Sequence, residues 1–181
     1  MITAFVLATL AIAARLLSSS YQLWNLAPLG AISLYAGSRL PRRYAWLVPV
    51  AAMAISDALL DGNRSRSWLE LSRLAIYASF ALTTILGSAT IRLKSPFWLP
   101  ALSLGASTLF FVISNFATWA EGLLYPPTLT GLLACYVAAI PFFGRTILSD
   151  LAGTALLFGI GPVVERMFAR RAAVLAPESA D

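Results

Sequence analysis

The sequence predicts an all-α membrane protein, folded as a single six-helix bundle, and three observations predict it. First, 59% of the 181 residues are hydrophobic, mean hydropathy is +0.79 and only 12% are charged, against about 25% charged in soluble domains. A core of this size cannot hide so much apolar side chain from water. Second, the apolar residues fall into runs divided by short polar turns. Third, most bases stand beside those runs in small groups (Arg39, Arg42 and Arg43; Arg92 and Lys94; Arg166, Arg170 and Arg171), as charges flanking membrane spans do. Five Trp, six Tyr and ten Phe add side chains suited to the membrane interface.

The elements follow in order. Ile2 to Leu17 is the first span. Residues 24–28, ending in Pro28, interrupt it, and the short run Leu29 to Ala36 follows, with Pro28 suited to a helix start. Arg39 to Arg43, containing Pro41, forms a basic turn. Tyr44 to Leu60 is the third span, closed by the polar loop from Asp61 to Arg66. A fourth helix runs from Trp68 to Thr90, with Glu70 and Arg73 three apart on one face, and ends at the Arg92–Pro96 turn. The charge-free fifth span runs from Phe97 to Trp119. After Tyr125-Pro126-Pro127-Thr128 come an apolar segment from Leu129 to Phe143, with Pro141 near its end, and a last span from Ile147 to Val164. Residues 1–170 form the transmembrane domain and residues 171–181 a short polar tail, frayed from Pro177 onward.

A full crossing needs about 20 residues. Six crossings place both termini and the three basic groups on one side, the cytoplasmic side by the positive-inside rule. The expected location is the bacterial inner membrane. Leu129 to Phe143 then enters partway, lies at the surface or packs as a broken helix. Arg64, Arg66 and Arg145 fall outside.

In that topology the scarce polar residues gather at the non-cytoplasmic end: Asn25; Asp57 and Asp61, one turn apart; Asn115, Trp119 and Glu121; Tyr125 and Thr128; and Arg145 and Asp150, which precede or open the last helix. Ionisable groups within spans generally face a cavity or a partner. Asn115, in the run Phe110 to Phe116, serves a polar solute or a neighbouring helix. Trp119, on the same face, stacks on a planar substrate or anchors at the interface. Asp57 contacts substrate or a cation, or pairs with Arg64, Arg73 or Arg145. Arg73 neutralises Glu70 or an anionic ligand group. Asp150 caps a helix or joins the site. Cys135 is a small buried thiol or a soft ligand. Ala4, Ala8, Ala11 and Ala14 give the first helix a small face for close packing within the bundle or against a membrane partner.

Several functions are disfavoured. The net charge of +5 is spread in span-flanking groups rather than a phosphate-binding stripe, so nucleic acid is not an expected partner. There is no His and one Cys, so neither a zinc site nor a Ser–His–acid relay is expected. Gly159-Ile160-Gly161 lacks the context of a nucleotide loop. We expect no enzyme, cofactor or metal. The N-terminal run lacks a basic start and a cleavage site, so it reads as a retained helix rather than a signal peptide.

Asn25-Leu26-Ala27-Pro28-Leu29-Gly30-Ala31, Ser56-Asp57, Asn115-Phe116-Ala117-Thr118-Trp119 and Tyr125-Pro126-Pro127-Thr128 carry a resemblance. The chain resembles uncharacterised small bacterial membrane proteins related to the substrate-binding S components of energy-coupling factor (ECF) transporters. The likeness covers most of Asn25 to Gly159 and is most specific from Phe110 to Phe143. It implies a six-helix vitamin-binding fold with cytoplasmic termini and a micronutrient site near the outer face. It also implies docking through helix one onto a transmembrane coupling protein driven by two ATPases, with Ala4 and Ala8 loosely matching the docking motif. Solitary relatives are thought to handle cobalamin, making it one candidate substrate. The expected contacts to the micronutrient are Asn25, Asp57, Arg73, Asn115, Trp119 and Tyr125. Lipid surrounds the bundle. The alternative is a membrane scaffold or assembly protein whose polar residues only lock helices together.

Overall fold

The computed structural model describes residues 2–23, 25–61, 70–92 and 96–175. Most of the expected 61–66 loop, Lys94, the start of the fourth helix at Trp68 and the 177–181 tail lie outside them. No strand occurs among the described residues. The helices are α1 (Ile2–Ser20), α2 (Leu29–Arg39), the single turn α3 (Arg42–Ala45), α4 (Leu47–Asp61), α5 (Leu71–Gly87), α6 (Leu99–Ala120) and α7 (Leu129–Leu175). With α3 and α4 counted as one interrupted helix, these make the expected six. Five segments are long and apolar enough to cross a membrane: α1, Arg42–Asp61, Leu71–Thr90, α6 and Leu129–Val164.

The sixth helix, α2, has 11 residues, a length of about 16 Å, or half a crossing. It is also the most enclosed: every residue from Leu29 to Gly37 is buried. An apolar surround on all sides suits a central helix. Its side chains Leu29, Ile32, Tyr35 and Ala36 form the core with Leu7 and Ala11 of α1, Val48, Ala52 and Met53 of α4, and Phe80 of α5. Two glycines bring α2 onto α5. A Cβ at Gly37 would stand 1.9 Å from the Thr84 carbonyl oxygen, and one at Gly87 would stand 2.3 Å from that of Leu34. Tyr35 packs edge-on against Phe158 of α7, ring centroids 5.0 Å apart.

Pro49 explains the break between α3 and α4. The interruption at Trp46 places Pro49 in the first turn of α4, where a missing N–H removes no intrahelical bond.

The end of the chain departs from expectation. Leu129 to Phe143 and the last span are one continuous helix of 47 residues, with Pro141 and Pro162 inside it, so the segment is neither a surface helix nor a separate broken one. In a dry apolar setting an interrupted helix would leave backbone groups without partners, and neighbouring helices let an internal proline persist. Antiparallel packing on α6 holds this helix. The Cys135 thiol donates to the Asn115 carbonyl and the Tyr136 hydroxyl to that of Val112. Phe143 stacks on Phe111, centroids 4.4 Å apart, and Thr154 meets Ser103. Arg145 and Asp150 therefore lie well inside α7, beside the middle of α6, and do not open a helix at the outer end. The Arg145 side chain is exposed; Asp150 is 1% exposed.

Candidate functional site

The C-terminal ends of α1, α4 and α6 and the N-terminal ends of α5 and α7 meet at one end of the bundle. A charged cluster ties three of them together. Arg15 Nη1 lies 2.6 Å from Asp57 Oδ1 and donates to Ser56 Oγ at 2.6 Å and to the Met53 carbonyl at 3.3 Å. The Tyr77 hydroxyl donates to Asp57 Oδ2 at 2.7 Å, and Arg73 Nη1 lies 3.4 Å from the same oxygen. Arg73 Nη2 donates to Asp61 Oδ2 at 2.5 Å. Two arginines thus balance two aspartates, which is how ionised groups persist in an apolar bundle. Nearby, Glu121 Oε1 accepts from the Ser72 N–H at 2.6 Å, satisfying one free donor at the α5 N-terminus.

Beneath this cluster lies a cavity of about 200 Å³, to which all six helices contribute. Its walls are Leu29 of α2, Met53 and Leu60 of α4, Ile76 and Phe80 of α5, and Phe110 of α6. Phe80 and Phe110 stack with centroids 5.2 Å apart. The polar lining is sparse: Arg15, Ser18 and Ser19 from α1, Asn25 from the following loop, and Thr146 and Asp150 from α7. A mostly apolar pocket with a few placed polar groups is the usual form of a small-molecule site.

Asn25 and Ala27, in the loop that leads into α2, cover one side of it. Gln22 and Asn25 adopt left-handed backbone, φ 54° and 62°, a region Asn tolerates better than most side chains. Asn25 Nδ2 donates to Thr146 Oγ1 at 3.3 Å, and Ser149 Oγ donates to the Leu26 carbonyl at 2.9 Å. The loop is thereby fastened to α7.

The floor is the start of α2, deep in the bundle. A helix beginning there exposes amides that need acceptors, and Pro28 supplies no side-chain cap. Leu29 N–H bonds back to the Ala27 carbonyl, while Ala31 N–H donates to Asp150 Oδ1 at 3.2 Å. Ser107, near the middle of α6, donates to Asp150 Oδ2 at 2.8 Å. Asp150 caps α2, a helix distant in sequence, rather than its own. Position 30 must be Gly: a Cβ would lie 2.4 Å from Asp150 Oδ2.

A second cavity of about 220 Å³ adjoins the first, sharing Asn25, Ile76, Phe110 and Thr146, and adding Ser114 and Asn115. Of the expected contacts, Asn25 lines both cavities and Asn115 lines the second. The Asn115 amide donates to the Phe111 carbonyl at 2.8 Å. Asp57 and Arg73 belong to the ion cluster, of which only Arg15 reaches the cavity wall. Trp119 Nε1 donates to the carbonyls of Pro126 and Thr128 at 3.0 and 3.2 Å, pinning the α6–α7 turn. Trp119 and Tyr125 line neither cavity. Ala4 and Ala8 are partly buried and pack against the core. Cys135 is buried against α6, away from both cavities.

Sequence reasoning did not place Arg15, Ser107 or Thr146 in a site. Arg15 carried a signal, being an arginine inside an apolar run. Two hydroxyl residues among many carried none. No group of three or more metal-ligating side chains occurs among the described residues.

Neither the curated proteins nor the solved structures yield a match. One family model matches residues 1–174, nearly the whole chain, and the protein accordingly belongs to the family of unknown function DUF6580.

Proposed function

We propose that the protein is a substrate-binding component for membrane uptake of a vitamin or related micronutrient, held in the outer half of the bundle. The observation that carries this reading is the convergence of all six helices on one apolar cavity with a few polar groups, roofed by a loop fastened through Asn25. The ion cluster above it supplies a rigid rim. By the positive-inside rule, Arg39, Arg42 and Arg43 put the opposite end, with both termini, in the cytoplasm of a bacterial inner membrane. The resemblance to ECF S components supports the same reading, with a coupling protein and ATPases as partners supplying energy. No catalytic role is proposed.

Cavities of about 200 and 220 Å³ stand near the lower end of small-molecule sites, roughly 300 Å³ upward. They favour a solute of one or two rings over cobalamin, whose macrocycle would need the bundle to open. The scaffold alternative draws support from Asp57, Arg73 and Trp119, all engaged in joining segments of the chain.

Native mass spectrometry after mild detergent extraction, followed by a vitamin binding panel, separates the two. A co-purified small solute, displaced by one panel member, is expected. Repeated absence of any solute, with no binding across the panel, favours the scaffold.

A further inference from the structure

The charge of the cavity points to the class of its ligand, an inference that rests on the uptake reading. We infer that the site takes a solute bearing a cationic nitrogen on or next to a flat apolar ring, with the nitrogen directed at Asp150.

The argument is one of compensation. Arg15, the cation on the wall, is matched by Asp57 at 2.6 Å, and Arg73 is held by Asp61 and Asp57. Asp150 has no such partner: among the described residues it takes part in no ion pair, and its donors are the Ser107 hydroxyl and the Ala31 and Gly30 N–H groups at the start of α2. The α2 N-terminus offers roughly half a positive charge, leaving the carboxylate under-compensated. A carboxylate has about four acceptor sites, and these three neutral donors carry no full positive charge to match it. The residue lines the cavity floor but is only 1% exposed, so it acts on a bound solute through its charge across a short, poorly screened distance rather than through open contact surface. An anion placed there would meet the same carboxylate across a medium of low dielectric. The stacked Phe80–Phe110 pair and Met53 offer flat apolar surface to a ring, with cation–π attraction as an additional term.

Three probes of similar size and different charge test this: benzylammonium, benzyl alcohol and benzoate. They are titrated onto the detergent-solubilised full chain by saturation-transfer NMR. The expected order is benzylammonium tightest by tenfold or more, about 1.4 kcal/mol, then benzyl alcohol, with benzoate weakest. Asp150→Asn should erase the tenfold preference while keeping benzyl alcohol affinity. Ser19→Trp, which obstructs the cavity from α1, should weaken all three.

Equal or reversed affinities, no binding by any probe, or benzylammonium binding indifferent to Ser19→Trp overturns the inference. Should Asp150→Asn fail to fold, the wild-type series still decides. The uptake reading is judged separately by the vitamin panel: a neutral or anionic vitamin bound in the cavity refutes the charge inference and leaves uptake standing.

Discussion

Gly37→Ala tests whether the buried half-helix sits as close to α5 as described. The added Cβ would lie 1.9 Å from the Thr84 carbonyl oxygen, whereas real Cβ contacts essentially never fall below 3.0 Å, so the backbones must part by about 1.1 Å. The obstacle is backbone and no rotamer change removes it. The far end of α5 is held by the Arg73 ion pairs and by Glu121 on the Ser72 N–H, so the helices must splay from the Gly37 end. Overpacking costs typically 1–3 kcal/mol, here about 2–3 because nothing flexible yields. Alanine recovers up to about 1 kcal/mol of helix propensity. The net loss is about 1–2 kcal/mol, or roughly 2–8 °C in melting temperature for a chain of this size. Far-UV circular dichroism in mild detergent reads it. Gly144→Ala is the control, since a Cβ there meets nothing within 4 Å, and it should melt at or above wild type. Gly37→Ala with Gly87→Ala should lose less than the sum of the two, because one splay relieves both clashes. A Gly37→Ala protein melting with or above wild type, beside a Gly144→Ala protein that does the same, would refute the packing described.

Other expectations concern the site and its rim. Asn115→Ala should weaken binding of the co-purified solute with folding retained; unchanged affinity in a titration would remove Asn115 from the site. Arg73→Met leaves Asp61 without its arginine in a largely dry setting and should destabilise by about 3 kcal/mol, the low end for a broken buried pair because Asp61 keeps 23% exposure; a melting temperature unchanged from wild type would show that the pair contributes nothing. Trp119→Phe removes the donor to Pro126 and Thr128 and should cost about 1 kcal/mol. Limited proteolysis should then cut the α6–α7 turn faster, and an unaltered cleavage rate would argue against the pin.

Much of the bundle was legible because apolar run length and flanking bases are local signals. The short run after Pro28 was counted as one of six crossings despite its marginal length, whereas α2 has 11 residues and is not among the five segments long enough to cross. The continuity of α7 was not legible: Pro141 read as the close of the Leu129–Phe143 segment under rules learned from water-exposed helices, where freed carbonyls find solvent. The polar residues were legible as a set but not as a wiring diagram. Asp57 and Arg73 were identified, and their mutual pairing was among the alternatives, yet Arg15, the closest cation to Asp57, lies 42 positions away in sequence. Asp150 meets Ala31 across 119 positions, and nothing in either neighbourhood announces the other. Asn115 looked unsatisfied because a sequence does not reveal a side chain turning back onto the carbonyl one turn earlier.

The half-length of α2 connects the remaining features. A helix that begins in the middle of a bundle leaves the upper part of its column to a non-helical segment, here the loop residues 25–28. Irregular backbone at that depth is tolerated where it is enclosed by protein or borders a cavity, and this loop does both, lining the cavity through Asn25 and Ala27 and bonding to α7 through Leu26. The same early start exposes amides with no solvent to accept from them, which calls for a buried acceptor, and Asp150 is that acceptor. Its close approach requires a residue without a side chain at position 30. A full-length α2 would fill the column, satisfy its own amides and leave the carboxylate without a role. Cavity, loop, glycine and buried acid are therefore consequences of one choice of helix length, and a substitution that removes the acceptor at position 150 or adds a side chain at position 30 should be felt at the others.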